Sequence, residues 1–134
     1  VMPFTGPAED RELIRELLAC YADAVTRQDL DAYLDCWTDD ARRSGPGGDC
    51  RGKSELRAQW QSLFGDIAQM AFFAQAGAIE VDGDHAAVRS HCLEFVGLGD
   101  GTSRRVVGQY TDRVVRVDGR WRFAERAYRV LMAE

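Results

Sequence analysis

The sequence predicts an α+β fold, with three N-terminal helices packed on a curved, mainly antiparallel sheet. Two observations carry this reading. Apolar residues recur at helical spacing up to Ile67 and at strand spacing from about Met70 onward. Asp82-Gly83-Asp84 and Asp118-Gly119 then divide the second half into hairpins. Helices and strands segregated in this way argue against an alternating parallel α/β arrangement.

The whole chain, 1–134, reads as one domain, with 1–6 as a loose tail. Pro7 suits a first helical turn, and Glu9 and Asp10 suit its positive end. Ile14, Leu17, Leu18, Tyr21 and Val25 form one apolar stripe. Asp23 falls on the opposite, solvated side, and Thr26 at the edge of the stripe. Asp29 is placed to cap a second, short helix containing Leu30, Tyr33, Leu34 and Trp37, which Thr38-Asp39-Asp40 ends. Asp39 and Asp40 then read as turn and cap residues. Ala41 to Ser44 reads as a short strand before a Gly-rich loop. Ser54 is a natural cap for the third helix, with stripe Leu56, Trp60, Leu63, Phe64 and Ile67. Four strands follow: Phe72 to Val81, Ala86 to Val96, Arg104 to Val117 and Arg120 to Met132.

Composition narrows the function. With 46% hydrophobic and 29% charged residues the chain has the make-up of a soluble globular domain. A net charge of −5 with no basic run excludes a phosphate backbone as partner, so no nucleic acid is expected. No apolar run is long enough to cross a bilayer, and no signal peptide is visible; a cytoplasmic location is expected, without membrane contact. Cys20, Cys36, Cys50 and Cys92 lack metal-ligand spacing and read as free thiols. Cys20, Cys36 and Cys92 are expected as apolar fillers, and Cys50 as the one position suited to reactivity. His85 and His91 show no zinc pattern, and no metal or cofactor is expected.

Polar residues inside strands mark the candidate site. On strict alternation Arg89, His91, Leu93 and Phe95 share a face, and Ser90, Cys92 and Glu94 share the other. If the first set lines a cavity, His91 is the leading acid/base, because it titrates near neutrality. The competing reading puts His91 on the outer face. Tyr110 and Asp112 share a face and together are able to polarise a carbonyl or phenol oxygen. The competing reading is a cross-strand Asp–Arg pair beside a packed aromatic.

Several segments carry a resemblance. They are Leu17 to Ala24, Trp37-Thr38-Asp39-Asp40-Ala41, Arg51 to Leu56, Ile79 to Asp84, Gly108 to Asp112 and Gly119 to Arg126. In this order and spacing the chain resembles the SnoaL-like group of the nuclear-transport-factor-2-like superfamily. The resemblance implies a cone-shaped α+β barrel with a deep apolar pocket, commonly as a homodimer packed through the sheet. It implies no single function, since its members include dehydratases, isomerases, cyclases and non-catalytic subunits. Dehydratase-like relatives carry an acidic or Tyr-Asp pair late in the first helix, at Val25 and Thr26 here. They carry a histidine and often an asparagine in the first long strand, at Phe72 and Ala76 here. Ketosteroid isomerases place an aspartate base near Gly45. None of these residues is a competent base. Arg126 matches a pocket arginine of dehydratase relatives and requires an anion, with Asp112 or Glu94 as internal partner. In such a cone Tyr21, Tyr33, Trp37, Trp60 and Phe72 serve as core and as ligand contacts.

Two functions follow from these residues. One is a cofactor-free enzyme performing dehydration, isomerisation or cyclisation on a small hydrophobic cyclic substrate. His91, Tyr110, Asp112 and Arg126 would be its catalytic set. The other is a non-catalytic ligand-binding or dimerisation module on the same fold.

Overall fold

Four long strands dominate a seven-stranded sheet that curls around three helices. The computed structural model describes residues 3–134. In chain order the elements are β1 (Phe4–Thr5), α1 (Ala8–Arg27), α2 (Leu30–Asp35), β2 (Trp37–Ser44), β3 (Cys50–Arg51), α3 (Gly52–Phe64), β4 (Ile67–Asp82), β5 (His85–Leu98), β6 (Ser103–Val117) and β7 (Arg120–Ala133). The strand order across the sheet is β1-β4-β5-β6-β7-β2-β3. Pairings β4–β5, β5–β6 and β6–β7 are antiparallel, as hairpins require, while β2 joins β7 in parallel. The α+β expectation holds.

Each helix has a local cause. The stripe of α1 buries Ile14, Leu17, Leu18, Tyr21 and Val25, while Asp23 is exposed and paired with Arg27. Gln28 ends α1 in the left-handed conformation, φ 55°, with its N–H returning to Val25 O. Asp29 caps α2 as expected, accepting from the Ala32 N–H at 3.1 Å.

Several boundaries differ from the sequence reading. Trp37 is not in α2; it opens β2, so Asp39 and Asp40 lie in a strand instead of a turn. Helix α3 begins at Gly52, ahead of Ser54, and the Arg51 N–H is held by the Glu55 carboxylate. Ile67 belongs to β4 rather than to α3. Of the expected tail, Val1 and Met2 lie outside the described residues, while Phe4–Thr5 pair in parallel with Ile79–Glu80. Cys20 is exposed and is therefore no filler, whereas Cys36 and Cys92 are buried. Among the described residues no helix is long and apolar enough to cross a membrane.

Bulges bend the sheet and reset which residues face the helices. The β4–β5 register shifts between Ala76 and Ala78. Met70 and Phe72 point inward before it, and Ile79 after it, which reverses the alternation. The β6–β7 register shifts between Arg113 and Val114, opposite Ala124. Trp121 and Phe123 are buried before this point, and Arg126 and Tyr128 after it. Without that extra residue the alternation begun at Trp121 would turn Arg126 toward solvent.

Candidate functional site

The concave face of the sheet, α1 and α3 enclose a cavity of about 250 Å³. Its walls carry a set of aromatic rings among aliphatic and a few polar residues: Tyr21, Tyr33, Trp60, Phe72, Tyr110 and Tyr128 all line it. Tyr21 sits at the centre, with Tyr33 and Phe72 ring centroids 5.2 and 5.8 Å away. Four of the five predicted ligand contacts therefore reach the cavity. The fifth, Trp37, does not. It is wholly buried against Tyr21, Tyr33 and Phe123, and its Nε1 has no hydrogen-bond partner.

The predicted catalytic residues divide. His91 is exposed on the outer face of β5, opposite Gln75 and Gln109 in the register. The inward set is Ser90, Cys92 and Glu94, so His91 does not meet Tyr110, Asp112 or Arg126. The alternation was legible in the sequence, but its phase relative to the core was not. Tyr110, Asp112 and Arg126 do come together, as a closed unit. Arg126 donates from Nε to Asp112 Oδ1 at 2.8 Å and from Nη2 to Oδ2 at 3.0 Å. Its guanidinium carbon lies 3.7 Å from the Tyr110 ring centroid, 4.0 Å from Phe123 and 4.3 Å from Tyr21. Burial opposes the Arg126 charge, and Asp112 together with Tyr21 and Tyr110 more than offsets it. Both carboxylate oxygens are thus occupied, and Asp112 does not polarise an oxygen beside Tyr110. The cross-strand Asp–Arg reading describes this pair. Burial also pushes the Tyr110 phenol well above its ordinary pKa, so it remains neutral.

The positions that hold a base in dehydratase and isomerase relatives have structural occupants. Thr26 Oγ1 accepts from the Phe72 N–H at 2.9 Å and donates to Phe72 O at 3.3 Å. The helix and strand positions of the expected dyad thus face each other, but they join α1 to β4 instead of moving a proton. Gly45 adopts φ 125°, and a Cβ there would lie 2.4 Å from the Tyr128 carbonyl oxygen. An aspartate at this position is excluded by both backbone strain and a backbone clash.

A second polar cluster faces the cavity; the sequence reading offered its Glu94 only as a partner for Arg126, which bonds Asp112 instead, and did not single out Arg43. Arg43, on β2, is 8% exposed, lines the cavity and donates from Nη1 to Pro46 O at 3.2 Å. Among the described residues it has no ion-pair partner. Its guanidinium carbon lies 5.9 Å from the Tyr128 ring centroid. The Tyr128 hydroxyl in turn donates to Glu94 Oε2 at 3.4 Å. Tyr128 reaches this place because Gly108 has no side chain; a Cβ there would lie 2.6 Å from the ring. Burial raises the Glu94 carboxyl above its ordinary range, opposed by Tyr128, Arg104 and Arg43. Gln59 donates to Gly47 O and Gly48 O at 3.1 and 2.9 Å, holding the Gly-rich loop over this end. One signal did exist: Arg43 is in phase with Ala41, a small residue suited to the core.

The cysteines supply no nucleophile here. Burial pushes Cys36 to about 12 and Cys92 to about 11, and it raises Cys50 as well. Among the described residues no group of three or more His, Cys, Asp or Glu side chains is arranged to hold a metal ion.

Comparison with known proteins places this geometry. A solved structure of a candidate aromatic ring hydroxylase from Novosphingobium aromaticivorans superposes with a TM-score of 0.89 at 28% identity, over 96% of this chain and 93% of that one. A candidate scytalone dehydratase from the same organism gives 0.87 at 21% identity, over 94% and 87%. A hexachlorocyclohexane dehydrochlorinase, LinA type 2, gives 0.84 at 20% identity, over 94% and 88%. At these lower identities the likeness is one of fold. Comparison with curated proteins returns no match. Residues 7–127 match the family described as the SnoaL-like domain, nearly the whole of the fold traced above, and the chain belongs to that family.

Proposed function

We propose that this chain binds a small, mostly apolar cyclic molecule inside the cone and does not perform dehydratase or isomerase chemistry at the usual positions. The observation that carries this reading is the pairing of an aromatic-walled cavity with base positions held by Thr26, Phe72 and Gly45. A volume of about 250 Å³ is at the small end of ligand pockets, which suits one or two rings. The 28% identical relative described as a candidate aromatic ring hydroxylase agrees with a ring-shaped ligand. The outer sheet face would pair with a second copy of the chain. Phe73 and Phe95, 62% and 42% exposed on that face, support such a contact.

A second reading rests on Glu94, a half-buried carboxyl facing the cavity. There the chain would be an acid/base enzyme using Glu94 in place of the absent dyad. Calorimetry against neutral and anionic one- and two-ring compounds, with product analysis of the same mixtures, tests both. Saturable one-to-one binding without conversion is expected. Conversion that Glu94→Gln abolishes while binding persists would establish the enzyme instead. A complete lack of saturable binding would sink the pocket reading.

A further inference from the structure

We infer that the molecule held in the cone carries a carboxylate, which Arg43 receives at the cavity wall. This rests on the pocket reading above and specifies its ligand as a small cyclic carboxylic acid.

The two buried guanidiniums of the cone are unequally satisfied. A buried guanidinium needs hydrogen-bond acceptors and a counter-charge, because its desolvation otherwise goes uncompensated. Arg126 meets that need inside the protein, donating two bonds to Asp112. Arg43, in the same cone and nearly as buried, has one neutral acceptor, Pro46 O. Of its five N–H groups one is thereby engaged by the protein. Its surroundings are the Tyr128 ring, the cavity and a surface groove that it shares with Asp49, Cys50 and Glu55, neither carboxylate pairing with it. A carboxylate matches the flat, forked donor array of a guanidinium, and the two form paired, charge-assisted bonds.

The neighbouring charges favour the same ligand. Arg104 is exposed and also lines the cavity, so it adds a second cation on the approach. The cavity carboxyl, Glu94, is turned toward the Tyr128 hydroxyl and makes no ion pair with Arg43. Burial shifts Glu94 toward its neutral form, and its bonded oxygen is engaged by the Tyr128 hydroxyl rather than by Arg43. The aromatic walls then accept the ring of the ligand while Arg43 accepts its anionic group.

Binding of 2-naphthoate and of neutral 2-naphthalenemethanol to the full chain tests this directly, by calorimetry at fixed ionic strength. The two probes share a ring system and differ in charge. At least tenfold tighter binding of 2-naphthoate is expected. Arg43→Met should reduce that preference to within about threefold, Arg43→Lys should keep much of it, and Arg104→Gln should leave it largely intact. Equal binding of the two probes by the unmodified chain overturns the inference and leaves the pocket reading standing, without need of any variant. A preference that survives Arg43→Met, or that vanishes with Arg104→Gln, also overturns it. Failure of both probes to bind overturns the inference and the pocket reading together.

Discussion

Arg126 and Arg43 are two buried guanidiniums in one cone, and they differ in what neutralises them. Arg126 is held by a bidentate carboxylate and three aromatic rings, all supplied by this chain. Arg43 has a single backbone acceptor and faces the cavity. The first arrangement is complete and acts in folding. The second is open, and its remaining donors are available to something that enters. A buried charge in this fold therefore marks a ligand site only when the protein has not already satisfied it.

The pair should be far more sensitive to truncation than the open cation. Asp112→Ala leaves Arg126 buried and uncompensated, and a loss of about 3–5 kcal/mol is expected in urea unfolding. Replacing both partners together, Asp112→Leu with Arg126→Met, should restore most of that stability. If Asp112→Ala costs less than about 1 kcal/mol, the contrast between the two arginines collapses.

Arg43→Met removes a cation that has no carboxylate partner. Stability should change by less than about 1 kcal/mol, or increase. A loss as large as that of Asp112→Ala would show that Arg43 is structural after all. The smallest effect belongs to Glu94 and depends on pH. Burial raises its folded-state pKa above the ordinary 4.5. Its stabilising contribution is then fully present below about 4.5 and is lost as the pH rises through the raised value. Glu94→Gln should therefore gain stability relative to the unmodified chain as the pH is raised from 4.5 toward neutrality. Parallel pH profiles for the two proteins would show that Glu94 is effectively solvated.

Much of the fold was legible because its signals are local. The α1 stripe from Ile14 to Val25, the Asp29 cap and the Asp118-Gly119 turn each depend on neighbouring residues. The candidate site was legible in part. Tyr110, Asp112 and Arg126 stood out as polar groups within strands, and they are neighbours in space. His91 stood out for the same reason but lies on the outer face, since periodicity assigns residues to a shared face without saying which face is buried. Arg43 was missed because only Ala41 to Ser44 was read as strand, and Ala41 alone is a weak marker of its buried phase. Trp37 was read as helical because it continues the spacing of Tyr33 and Leu34, yet pairing with β7 draws it into β2.

The sequence by itself determined the order of helices and strands, the hairpin turns and the loss of the usual bases at Thr26, Phe72 and Gly45. The first two follow from residue identity and local periodicity, and the third from the family resemblance that those residues carry. Only the tertiary structure decided which polar residues meet. The bulge at Ala124 turns Arg126 and Tyr128 inward. The parallel pairing of β2 with β7 places Arg43 inside the cone, and Gly108 allows Tyr128 to lie across the sheet toward Glu94. Such meetings depend on register between segments far apart in the chain. One extra residue in a strand reverses the direction of every side chain beyond it, and no single strand's pattern reports where its partner will impose that shift.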